Sequence, residues 1–316
     1  VFTSTAITAA TEDTAYSYNF TATAEAALTF TASSVPTLPD WLSLDLDSTV
    51  ISDFGDTISG PGGMTIDDNG NIYVAEQSGS TIYQITPLGV QTAWATVNSN
   101  TKYGLLISGD YLYTSYFFSN KITRINLSNP GAGETDYVSL TRPAGMVEKD
   151  GFIYVAEFSA DKISKIDLAD DSISDHVTGI SSPFALDFNS SGVLFIASFY
   201  GETLSTFESG VLTSDVFTFT NTPADIKIDA ADNIYVATLG VGVKKISADL
   251  LTEEDISTSG NVMGMTVSQS DTLVWGIFDE NKVVQLGYEN VLSGTPTNND
   301  VGNHDVCLTA TAASLS

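Results

Sequence analysis

Asp225, in the stretch PADIKI, is a carboxylate at a point where the related stretches of this chain carry Gly63, Gly104, Gly145, Ala185 and Gly264. An acid there could serve a metal site, but a lone carboxylate holds a divalent ion weakly, because such ions take six or more oxygens. Two further acids, Glu76 and Glu157, each close a copy of the run IYVAE. Arg142 stands in TRP just before one of the related stretches. The aromatics Tyr103, Tyr116, Phe118 and Tyr200 fall outside a recurring pattern that the chain sets with Phe117, Phe158, Phe199 and Phe278. Recurring rings read as packing between repeat units, and non-recurring ones as exposed binders. Aromatic faces stack on sugar rings and pack on peptide side chains, while acids and amides fix the orientation of hydroxyls by hydrogen bonding. The ligand-binding set expected on these grounds is Tyr103, Tyr116, Phe118, Tyr200, Glu76, Glu157, Arg142 and Asp225. Glu76 and Glu157 equally suit hydrogen bonding to loop backbone.

Other chemistry is limited by inventory. The two histidines are His176 and His304, and the one cysteine is Cys307. A single cysteine allows no internal disulfide, and in HDVCLTATA it reads as a small apolar side chain in an alternating run. The sequence also carries 39 Asp and Glu against 11 Lys and Arg, a net charge of −28. That excess argues against nucleic acid and anionic membranes as partners, since both need a basic patch. No apolar run reaches the about 18 residues of a membrane-spanning helix, so membrane insertion is not expected. The sequence opens at Val1, inside a Thr- and Ala-rich strand-like run, which reads as a piece of a longer chain with flanking domains.

The elements that must position these residues come in repeats. PGGMTIDDNGNIYVAE at 61–76 returns as KYGLLISGDYLYTSY, PAGMVEKDGFIYVAE, PFALDFNSSGVLFIAS, PADIKIDAADNIYVAT and VMGMTVSQSDTLVWGI. Aligned on residues 63, 104, 145, 185, 225 and 264, the steps are 41, 41, 40, 40 and 39. Each unit holds an inner run, a Gly/Asn/Asp turn, a second run such as IYVAE, an alternating third and a more polar fourth. Period-two alternation between such turns marks strands. Four strands per unit repeated radially predict a six-bladed β-propeller. The sixth unit stops after three strands at Gly287, and an orphan strand, STVISDF at 48–54, precedes the first. That N-terminal strand is expected to complete the last blade and hide its edge.

The Pro-x-Gly-Met/Leu entry followed by IYVAE resembles the NHL-type propellers, over roughly residues 49–287. Outside the repeats, TAYSYNFTAT and LPDWLSLD near the start, and LSGTPTNNDVGNHDVCLTATA near the end, resemble the two halves of the cadherin-like, Ig-like domains of large bacterial surface proteins. The expected architecture is therefore all-β: residues 1–47 and 288–316 as a split Ig-like sandwich, with the propeller, 48–287, inserted. Its core would hold Tyr16, Tyr18, Phe20, Leu28, Phe30, Trp41, Leu42, Val301, Val306 and Leu308, and the links LDLD and GYEN would join the two parts. The resemblance implies a bacterial extracellular or cell-surface location. It also raises calcium as a candidate ion at the sandwich or the links, through Glu12, Asp13, Asp45 and Asp47; no other cofactor is expected.

In such a propeller the candidate residues gather in the loops of one face, around the channel mouth. Six-bladed propellers include metal-dependent lactonases, with several acids and Asn at that mouth, and lyases with a His base. With one acid at the inner position and both histidines elsewhere, the inventory favours a non-catalytic recognition module that binds a glycan or a surface protein, and no enzymatic activity. The alternatives are a metal-dependent sugar-lactone hydrolase or lyase, and a structural spacer without a ligand.

Overall fold

A computed structural model describes residues 9, 11, 13–20, 28–33, 39, 41–257, 259–267, 272–295 and 307–312. The first repeat forms four antiparallel strands, Pro61–Ile66, Ile72–Glu76, Thr81–Ile85 and Gln91–Thr96, paired in chain order. Five more blades follow, with innermost strands Lys102–Ser108, Pro143–Lys149, Pro183–Phe188, Pro223–Ile228 and Val262–Val267. Each innermost strand packs on the next, and Val262–Val267 returns to Pro61–Ile66 to close the ring. The fold is the six-bladed propeller that the repeats predict.

Local chemistry explains each blade. Second strands such as Ile72–Glu76 and Ile234–Thr238 are buried almost throughout, because a blade is covered on both faces by its neighbours. Their apolar residues fill the spaces between blades: Ala185, Phe195 and Leu204 of the fourth pack with Ile226, Ile234 and Val236 of the fifth. The turns are set by aspartate. Asp67 Oδ1 accepts the N–H groups of Asn69 and Asn71, and its Oδ2 accepts from the Asn71 amide and the Tyr73 hydroxyl. Asp229 repeats this turn in blade five. DDNGN is thus a side-chain-fastened turn.

Blade six is completed from the N-terminal side. The strand Leu42–Asp53 pairs with Lys282–Gly294. The Phe54 N–H donates to the Val283 carbonyl at 2.8 Å and the Ile58 N–H to the Asn281 carbonyl at 3.1 Å. Phe54 and Ile58 are buried beside Val274 and Val283. The segments read as links, LDLD and GYEN, lie inside these two long strands.

By its contacts the chain divides into two compact units, one of Asp53–Gln285 and one of both chain ends, Val1–Ser52 with Leu286–Ser316. In the second unit Tyr16–Phe20 pairs antiparallel with residues 290–294, and Leu28–Ser33 with Cys307–Ala312. Tyr18, Leu42 and Leu292 are buried there, and Trp41 stands edge-on to Tyr16 at 6.1 Å. Glu12, Val301, His304 and Val306 lie outside the described residues.

Candidate functional site in the channel wall

Innermost strands converge on the propeller axis, so their alternate residues form successive rings. The first ring is Gly63, Gly104, Gly145, Ala185, Asp225 and Gly264, and the next, two residues on, is Thr65, Leu106, Val147, Asp187, Lys227 and Thr266. The glycines are there because adjacent strands almost touch. A Cβ on Gly63 would come within 2.6 Å of the Tyr103 carbonyl oxygen, and one on Gly264 would run into that of Gly62. The charges of both rings are confined to blades four and five: Asp187, Asp225 and Lys227.

These three form one cluster. Lys227 Nζ lies 3.6 Å from Asp225 Oδ1, with side-chain exposures of 22% and 16%. Protein surrounds both groups and leaves each only a little exposed surface. All four carboxylate oxygens accept a backbone N–H at 2.9 Å. Asp187 accepts from Phe188 and, across the blade boundary, from Ile228. Asp225 accepts from Ile226 and from Met265 of blade six. Burial pushes both carboxyls above the ordinary aspartate range, more than the Lys227 ammonium and the N–H donors pull them down. Burial pulls Lys227 down, but the two carboxylates more than offset this and hold its ammonium above the ordinary lysine range. The arrangement offers a basic carboxylate beside a fixed positive charge.

Inter-blade stapling alone does not call for charge. Thr65, in the ring position of Asp187, accepts the Ile107 N–H at 3.3 Å and makes the same staple with a neutral hydroxyl. Sequence reasoning singled out Asp225 but missed Asp187 and Lys227, because it compared only the first ring. The signal was present in ALDF and DIKI, where charges stand at the position that the other innermost strands fill with Thr, Leu or Val.

The remaining expected residues separate into two groups. Phe118 and Tyr200 are exposed, at 62% and 74%. They flank an aromatic cluster in which Phe158 meets Phe117 at 5.2 Å and Tyr200 at 5.4 Å. The Arg142 guanidinium lies 5.5 Å from the Phe117 ring and 5.7 Å from that of Phe118. Half-buried Tyr103 stands edge-on to Phe117 and Phe184 at 5.1 and 5.0 Å. Since Tyr103 and Phe184 sit on innermost strands, this aromatic shelf of blades two to four reaches the channel wall.

Tyr116, Glu157 and Glu76 are built into the scaffold instead. Tyr116 is fully buried, which corrects the expectation of an exposed ring. Its hydroxyl donates to Glu134 at 2.6 Å, because the last residue of its strand turns into the junction of blades one and two. Glu157, 2% exposed, accepts from Ser164 Oγ and, at 2.6 Å, from the Thr141 N–H, and pairs with Lys162 at 3.3 Å. It therefore borders no open depression with Arg142. Glu76 accepts the Thr81 N–H at 3.2 Å. In the same junction Lys102 is fully buried and donates to the carbonyls of Gly79, Asn98 and Asn100 at 2.7–2.9 Å. Burial lowers its ammonium to about 8, although Glu134 and Glu76 oppose the shift. His176 packs between Tyr154 and Phe207, at 4.8 and 4.9 Å, away from the innermost strands.

A divalent metal does not fit the channel cluster. Each carboxylate oxygen already holds an N–H, and Lys227 supplies a positive charge 3.6 Å from Asp225 that also acts on Asp187. Among the described residues no three of His, Cys, Asp and Glu gather as metal ligands. Of the acids offered for calcium, Glu12 lies outside the described residues.

No protein-family model matches the chain, and no curated protein matches it. Solved structures do. A gluconolactonase from Xanthomonas campestris is similar with a TM-score of 0.66 at 15% identity, covering 77% of this chain and 90% of that one. A streptogramin B lyase matches with a TM-score of 0.58 at 14% identity, over 78% of this chain and 98% of the other. Virginiamycin B lyase from Staphylococcus aureus, solved as a catalytically inactive His-to-Ala variant with quinupristin, matches with a TM-score of 0.57 at 18% identity, over 80% and 99% of the two chains. At these identities the likeness carries the fold. It also overturns the expectation of a non-catalytic recognition module, because these three structures are named as enzymes, in line with the hydrolase or lyase alternative. The repeats of this chain build a six-bladed β-propeller whose fold is similar to those of the gluconolactonase and the streptogramin lyases.

Proposed function

We propose that the propeller is a hydrolase that opens cyclic esters, with Asp225, Lys227 and Asp187 as its reactive centre. The observation that carries this reading is the placing of every charge of the two channel rings on adjacent blades, around one ammonium. In the reaction, Asp225 takes a proton from water as that water's oxygen adds to the carbonyl carbon of the ring ester. The carbonyl oxygen gains negative charge facing the Lys227 ammonium, whose position is fixed before the reaction starts. The acyl carbon–oxygen bond of the ring then breaks, and the proton on Asp225 passes to the departing ring oxygen. One lactone and one water give one hydroxy acid, and Asp225 is regenerated. Asp187 does not touch the substrate; it holds Lys227 charged and in place. The shelf of Phe118, Tyr200 and Tyr103 would seat the apolar face of the substrate beside the channel. The pairing of the two chain ends supports a split Ig-like sandwich that carries the propeller as an insertion.

The test is incubation with a panel of γ- and δ-lactones, plain sugar lactones and aryl-substituted ones, with product masses read against enzyme-free controls. A product heavier by one water is expected. A ring-opened product of unchanged mass would mean β-elimination and would overturn hydrolysis. No turnover of any member would overturn the reading.

A further inference from the structure

The cation of this centre belongs to the chain itself. We infer that Lys227 occupies the place that a divalent metal would take between Asp225 and Asp187, so that ring opening here needs no metal ion. The inference rests on the hydrolase reading for its consequence, but the binding chemistry stands on the cluster alone. Nζ lies 3.6 Å from Asp225 Oδ1 and shares the second ring with Asp187. An ammonium is a compact point charge with three donors and no acceptor. It pairs with Asp225, both of whose oxygens already hold a backbone N–H, and it repels a second cation from the same space.

Two consequences follow. The wild-type channel is closed to divalent ions, because a metal would have to displace a tethered charge and draw oxygens away from the N–H groups of Ile226, Met265, Phe188 and Ile228. Removing the ammonium while keeping both acids leaves two buried carboxylates without their counter-charge, which a hard cation with oxygen ligands would neutralise. Lysine thus sets the choice between a built-in cation and an exchangeable one.

The experiment measures Mn²⁺ binding by calorimetry and electron paramagnetic resonance on the full chain. It compares wild type, Lys227→Ser, Lys227→Arg and the double variant Lys227→Ser/Asp225→Asn, with circular dichroism to confirm folding. Sites elsewhere on this acidic protein are common to all four and subtract out. The expected result is one extra site in Lys227→Ser, at least tenfold tighter than any binding that wild type shows at the cluster, lost in the double variant and absent in Lys227→Arg. In parallel, lactone turnover by wild type is expected to survive exhaustive chelation unchanged. An Asp225-dependent Mn²⁺ site in wild type would overturn the inference, as would a folded Lys227→Ser without the extra site. If Lys227→Ser does not fold, the wild-type comparison with Asp225→Asn decides: equal Mn²⁺ binding supports the built-in cation, and weaker binding in Asp225→Asn overturns it. Absence of turnover with the predicted metal pattern would instead count against the hydrolase reading alone.

Discussion

At the residue scale the protein divides its polar side chains between scaffold and channel, and burial tells them apart. Phe118 and Tyr200 stand in the open with little to lose from truncation. Replacing both by Ala is expected to raise KM for aryl-substituted lactones about tenfold, the loss of about 1.4 kcal/mol of uniform binding. The melting temperature and kcat should stay near wild type, which steady-state kinetics and calorimetry would check. Lys102 makes a different prediction. Its folded value, about 8, lies below the ordinary 10.5. The fold therefore releases this proton before the unfolded chain does, and the cost of burying the charge, present in full below about pH 8, fades as pH rises towards 10.5. The stability of wild type relative to Lys102→Met should climb across that window in chemical denaturation, whereas a flat difference would contradict the assignment. Asp225 was legible in the sequence as an exception within one aligned position. Tyr116 was not, because a tyrosine at a strand end has the same sequence signature whether its hydroxyl reaches solvent or, as here, Glu134.

Strands are the scale at which the sequence spoke most clearly. A 40-residue period, alternating runs and Asp/Asn/Gly turns repeat six times, and each copy reinforces the others. The closing strand was readable because blade six lacked a fourth strand and an unassigned one stood before blade one. Its length was not, since LSLDLDSTVISD holds no Gly or Pro to mark where pairing begins. The packing of innermost strands is read from the glycines. Gly264 faces the Gly62 carbonyl at the joint between the last blade and the first, where a methyl group has no room. Gly264→Ala should cost about 1–3 kcal/mol by overpacking. Gly131→Ala, with nothing within 4 Å of the added carbon, should stay within about 0.5 kcal/mol of wild type. Equal effects in urea titration would show that ring closure does not depend on that contact.

The whole molecule combines two units of separate composition, so it is expected to melt in two steps. Trp41 belongs to the unit of the chain ends. Trp41→Ala should lower one calorimetric transition by about 1–3 kcal/mol and leave the propeller's transition in place. A single transition displaced as a whole would mean that the units unfold together. The pairing of the ends was foreshadowed by the two distant sequence halves. What the propeller does was not, because one fold hosts many functions and the side chains of a site, not the repeat, decide among them. The channel cluster is therefore the claim to test first, by the rate of lactone opening in wild type and Asp225→Asn, each over a range of pH and with the spontaneous rate subtracted. Wild type should exceed the spontaneous rate, with an acid limb above the ordinary aspartate range, since burial raises this carboxyl and only its ionised form takes the proton from water. Asp225→Asn should lose about 10²–10⁴-fold and that limb with it. An Asp225→Asn protein that opens the same lactone at the wild-type rate would contradict the account.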